Sequence, residues 1–242
     1  SMNSMMGSRE DAGQDPEDAL ARMHEVCAHL HVVDVNRHPL VGLVKVAVAF
    51  FSGESALAEQ WVAEALLSRH PWTVASVLMF RANLAENSGN LESMRVDTDA
   101  ALAEFRRLGE RWGTASTLRA AALLHTYDGD LDAAEAAYDE ALELMAQMST
   151  RDDEGFMRIR LADLRLRRGD QSGAREQMRL ARVATEQTGS PVEGVFALCM
   201  TALIERECGN EAGARELYDE IRRRIALIVP GHPMLRGHLM AI

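Results

Sequence analysis

His24, Cys27 and His31 stand three and four residues apart, a spacing that brings side chains to one face of a helix, and their types are those that bind zinc. A zinc site needs a fourth ligand from elsewhere, and the chain has no C-x-x-C pair to supply it. A capping helix carrying ordinary His and Cys is therefore the preferred reading. The stretch RIRLADLRLRR, residues 158–168, holds five arginines and one aspartate, a composition that could grip phosphate. Those arginines are spread around the helix without aromatic residues between them, so solvated faces and pairing with acidic neighbours explain them better. The basic run Ile221 to Ile225 lies near a helix C-terminus, where the macrodipole favours positive charge. Ser116 and Ser172 lie in helical or turn contexts with no strained elbow and no adjacent His. Lys45 sits in the apolar segment LVGLVKVAVAF, not in a glycine-rich phosphate loop. These observations point to a protein without catalysis, cofactor or metal.

The chain of 242 residues is 47% hydrophobic, enough to bury a substantial core. Its net charge of -11 opposes sequence-independent attraction to nucleic acid or anionic lipid. No apolar run approaches the roughly 18 residues needed to cross a bilayer, and no secretory pattern opens the chain, so a soluble, cytoplasmic protein is expected. Three cysteines, Cys27, Cys199 and Cys208, read as reduced thiols. Of the 26 basic residues 25 are arginine, a skew ascribed to codon bias because helix propensity barely separates Arg from Lys.

What organises the chain is a turn. Gly53, Gly89, Gly129, Gly169 and Gly209 each interrupt strong helix formers, at spacings of 36, 40, 40 and 40 residues, the mark of stacked two-helix units. Each Gly can take a left-handed cap, and the Asn, Asp or Glu after it favours the next helix start. Small residues recur in step. Seven before each Gly stand Val46, Ala82, Ala122, Ala162 and Ala202; five after it stand Ala58, Met94, Ala134, Ala174 and Ala214; twelve after it stand Ala65, Ala101, Ala141, Ala181 and Ile221. Such columns let two helix backbones approach, with Val62, Tyr138, Met178 and Tyr218 filling the space between them.

The small residue, turn Gly, Ala, aromatic, Ala pattern, best kept in DGDLDAAEAAYDEAL, resembles the tetratricopeptide repeat. The period here is 40 instead of 34, and the tyrosine late in the first helix is replaced by Ala49, Ala85, His125, Arg165 and Glu205. Longer helices are expected, with Arg165 and Glu205 candidates for a pair between neighbouring units. A narrower likeness covers HPLVGLVKVAVAF, the segment from His70 to Ala115, and DDEGFMRIRLADLRLRRGD: together they resemble the C-terminal repeats of the large SARP-type transcriptional activators of actinomycetes, which join a DNA-binding part and a STAND-type ATPase to a repeat region. The resemblance implies an all-α, right-handed α-solenoid of about five antiparallel helix pairs, serving as an excised sensor or interaction region. The expected organisation is a disordered tag or leader over 1–15, a capping helix over 16–37, the solenoid over 38–228 and the start of a truncated further repeat over 229–242. That last segment would expose Leu235, Leu239 and Met240 and could drive self-association.

In tetratricopeptide stacks the first helix of each pair lines the concave groove. Transferred here, that geometry selects Leu43, Ala47 and Phe50, then Met79, Asn83 and Asn87, then Arg119, Leu123 and Tyr127. Further along it selects Ile159, Asp163 and Arg167, then Leu203 and Arg206. Apolar patches with Asn and Arg between them suit an extended peptide, whose backbone Asn amides bind and whose carboxylates Arg forks hold. Asn83 with Arg119 resembles half of the carboxylate clamp of chaperone-binding members; the other half is missing, so a chaperone is not the expected partner. The expected partner is a protein or peptide, including other domains of a parent regulator, or a second copy of the chain in a homodimer. Nucleic acid and membrane are not expected. The alternatives are a small-molecule effector held beside Tyr127, Arg119 and Arg167, and a structural oligomerisation module.

Overall fold

The computed structural model describes residues 16–148, 153–188 and 191–227. The expectations for 1–15 and 229–242 lie outside these residues. The described residues form helices without strands, and the chain divides into two units, residues 1–150 and 151–242.

Unit one opens with α1 (Pro16–Leu30), which packs on α2 (Pro39–Phe51). Three hairpins follow: α2 with α3 (Ser55–Leu66), α4 (Pro71–Ser88) with α5 (Leu91–Leu108), and α6 (Arg111–Asp128) with α7 (Leu131–Gln147). Unit two holds two more, α8 (Glu154–Arg167) with α9 (Gln171–Thr188) and α10 (Pro191–Glu207) with α11 (Glu211–Leu227). The repeat glycines fall between the two helices of each pair, with φ of 72 to 79°. At each the next residue's N–H reaches back to the carbonyl five residues earlier, as in Asp130 to His125 at 2.9 Å, which ties off the first helix. Asn90, Asp130, Asp170 and Asn210 then cap the second helix, their side-chain oxygens accepting from Ser93, Ala133, Gly173 and Gly213. Glu54 departs from this pattern: it occupies the cap position without a side-chain cap bond.

The three small columns are the seams of the core. All fifteen positions are 9% exposed or less, and Ala65, Ala101, Ala122, Ala134, Ala141, Ala162, Ala174, Ala181 and Ala202 are fully enclosed. Tyr138 and Met178, each 1% exposed, fill the space beside them, while Val62 and Tyr218 are half-buried. The 36-residue first spacing reflects α3, with 12 residues against 17 or 18 in α5, α7, α9 and α11. Lys45 is the deepest charge in the first hairpin, 2% exposed. Its ammonium donates to Val33 O at 2.8 Å and to Glu64 at 3.0 Å, and it lies 5.3 Å from the centre of the Trp61 ring. A compact three-way donor fits this spot, where a planar guanidinium would not.

Candidate functional site

Within unit one α2 packs on α4 and α4 on α6, so the first helices of its three hairpins form a continuous wall. The deep row of that wall is core. Met79 and Leu123, expected to touch a partner, are each 6% exposed; Met79 packs with Phe105, and Leu123 with Ala82, Ala85 and Met94. Ala47 at 7% and, in unit two, Ile159 at 2% are buried as well. The helices packed beside them cover these positions, so they support the wall and do not present themselves to a ligand. Leu43 and Leu203 are half-buried.

The outer row of unit one is open. Phe50 and Phe51, about 40% exposed, meet edge to face at 5.5 Å, and both stand against buried Phe80. Asn87 is exposed and Tyr127 is 60% exposed. Phe51, Asn87 and Tyr127 each lie two residues before a turn glycine, so the wall presents one member of this row per hairpin.

Below that row Arg119 of α6 reaches across to α4. One guanidinium nitrogen donates to Glu86 at 2.9 Å and another to Asn83 Oδ1. Asn83 and Arg119 are thus brought together as expected, but a carboxylate from the chain itself completes the set. Glu86 was missed by sequence reasoning; its signal is an acid 33 residues before an arginine in a repeat of 40. Also unforeseen is Asp97, 2% exposed, which takes a two-pronged bond from Arg81. That hydrogen bond, ahead of any simple charge attraction, raises the Arg81 pKa further.

In unit two Asp163 and Arg167 pair along one helix face at 2.9 Å, and Arg206 is exposed. Glu205 bonds Arg175 at 3.0 Å and accepts from Asn210, so the expected partnership with Arg165 gives way to one across α9 and α10; Arg165 lies 4.0 Å from Asp170. The arginines of 158–168 are engaged locally. Arg158 donates to Glu154 and Gln177, and Arg160 lies over the Phe156 ring. Arg222, Arg223 and Arg224 likewise pair with Asp219 and Glu220.

The remaining sequence candidates are dispersed. Cys27 turns inward against Ser52, His24 faces Glu54 at 3.4 Å, and His31 leans on the Trp61 ring. Among the described residues no three His, Cys, Asp or Glu side chains converge as a metal site. Burial pushes the Cys199 thiol up. Ser172 donates to Asp170 at the start of α9. No described helix is long and apolar enough to cross a membrane.

No family model and no curated relative matches the sequence. Solved structures do match its fold. BtubC from P. vanneervenii superposes with a TM-score of 0.68 at 16% identity, over 90% of this chain and 93% of that one. A STAND signal-transduction ATPase with a tetratricopeptide repeat sensor, from Pyrococcus horikoshii, gives 0.69 at 14% identity over 84% of this chain. The match spans only 31% of that longer protein. PilW, a type IV pilus biogenesis factor, gives 0.60 at 16% identity, over 94% of this chain and 92% of its own. The fold is tetratricopeptide-like. Its hairpins offer a helical wall, and the open row of Phe51, Asn87 and Tyr127 is an accessible part of that wall in unit one.

Proposed function

We propose that this tetratricopeptide-like chain is a non-catalytic interaction or effector-sensing region of a transcriptional regulator, and that it binds an extended protein segment along the first-helix wall of unit one. The observation that carries the reading is the set formed by Arg119, Glu86 and Asn83 beneath an exposed row of aromatic and amide side chains. Aromatic faces at Phe50, Phe51 and Tyr127 take apolar side chains of the partner. Asn87 between them bonds its backbone. Arg119, whose side chain is 17% exposed, holds its fork toward Glu86, and an acidic residue of the partner can exchange for that carboxylate. Two likenesses support the regulatory setting: the repeat segments similar to SARP-type activators, and the shared fold with a STAND protein whose repeats are called a sensor in its name. Binding would shift the balance between inactive and active states of the parent protein.

The test is fluorescence anisotropy of the full chain against labelled ten-residue peptides alternating acidic and apolar positions. Binding that weakens at least about tenfold in Tyr127→Ala and in Asn87→Ala, at unchanged helicity, supports the reading. Equal binding by wild type and both variants, or none by any peptide, overturns it. The regulatory part is tested separately by the surrounding gene, where ATPase and DNA-binding segments upstream are the expected finding.

A further inference from the structure

Between α9 and α10 lies a hollow of about 410 Å³, inside the range of about 300 to 1,000 Å³ over which proteins hold small molecules. Met178 and Ile204, each 1% exposed, belong to the core that closes it from below, and exposed Val183 gives it an apolar side. Arg175, Arg179 and Arg182, successive along one face of α9, stand around it. Two of these are held by the chain's own acids: Arg175 by Glu205 at 3.0 Å and Arg179 by Glu176 at 2.7 Å. The Arg182 guanidinium enters no hydrogen bond or ion pair among the described residues, and its influence is felt at a distance by Glu220.

Unit one differs at the corresponding places. There Arg106, 17 residues past its turn glycine, bonds Glu140, 11 past the next, at 2.7 Å, and so straps α5 to α7. The same offsets in unit two give Glu186 and Glu220, two carboxylates that cannot make such a strap. Arg182, 13 past Gly169, stands where unit one has Leu102. A strap is lost and a cation is gained at one place.

We infer that this hollow binds a small organic carboxylate with an apolar body. The carboxylate sits on Arg182, in the positive field of Arg175 and Arg179, and the body lies against Val183 and the aliphatic stems of the arginines. Glu186 and Glu205 at the rim disfavour a second negative charge, which selects a monoanion over a phosphate ester. The site is independent of the first-helix wall and of the partner proposed for it.

The experiment uses the full chain with methyl-labelled methionine, the Met178 signal being assigned through Met178→Leu. Octanoate and 4-phenylbutyrate are titrated beside octanamide, 4-phenylbutanol and phenyl phosphate. The carboxylates should shift the Met178 signal saturably, and the neutral and phosphate analogues should bind at least about tenfold more weakly. Arg182→Gln should lose at least tenfold in affinity at unchanged helicity. No saturable shift with either carboxylate, equal binding by octanamide, or unchanged affinity in Arg182→Gln would overturn the inference. Binding of phenyl phosphate as tight as that of the carboxylates would overturn the selection of a monoanion.

Discussion

Unit one encloses two charges within its hairpins beside its surface pairs, whereas the ion pairs of unit two lie mostly at the surface. Lys45 and Asp97, each 2% exposed, are enclosed with partners reaching in from neighbouring helices. Arg179 with Glu176 and Arg222 with Asp219 in unit two have all four side chains more than half exposed. The same 40-residue hairpin therefore tolerates two ways of fastening helix to helix. An enclosed charge leaves a large penalty when its partner is removed; an exposed pair loses little, because water replaces the partner.

The comparison can be broken most directly at Asp97. Arg81→Ala leaves that carboxylate enclosed and uncompensated, and a loss of about 3 to 5 kcal/mol is expected. Trp61, Trp72 and Trp112 all lie in unit one, so tryptophan fluorescence during urea unfolding reads that unit alone. Lys45→Met should cost less, about 2 to 3 kcal/mol, because Glu64 is partly exposed and can turn to water once the ammonium is gone. Replacing turn glycines sharpens the comparison from the other side. Gly129 and Gly169 share a φ of 79°, so Gly129→Ala and Gly169→Ala should cost about the same, 1 to 2 kcal/mol each, one read by fluorescence and the other by circular dichroism.

The smallest effect belongs to Glu205. Its carboxyl is held below the ordinary range first by the hydrogen bond from Arg175 and then by Asn210. A depressed folded value means the stabilisation is complete above the ordinary glutamate pKa of about 4.3 and is lost as pH falls through the lower one. Since the Arg175 side chain is 42% exposed and water can take its place, Arg175→Ala should cost no more than about 1 kcal/mol at pH 7, and less as pH falls through the lowered Glu205 value. A cost rivalling that of Arg81→Ala would abolish the distinction between the units.

The hairpins were legible in the sequence because their determinants recur in register. A left-handed glycine and three columns of small residues repeat with the period, and each can be aligned without knowing a contact. The wall was legible only in outline. Counting along each first helix found Phe50, Asn87 and Tyr127 on the open side, but also chose Met79 and Leu123, which neighbouring helices cover. Coverage depends on how closely neighbouring helices pack, α5 against Met79 and α4 with α5 against Leu123, and no single helix encodes that distance. Cross-hairpin bonds such as Arg119 to Glu86 and Arg106 to Glu140 were illegible for a related reason. Charged side chains choose among several partners within reach, as Glu205 does in taking Arg175 in preference to Arg165.

The lone lysine has one more consequence. With Lys45 enclosed against Trp61 and Glu64, the folded chain shields its one side-chain amine from acylating reagents. Covalent tagging at residue 45 would become a clock for transient opening of the first hairpin. A succinimidyl ester, followed by mass spectrometry of the peptide holding residue 45, would time how often that hairpin breathes, since no other side chain carries an amine.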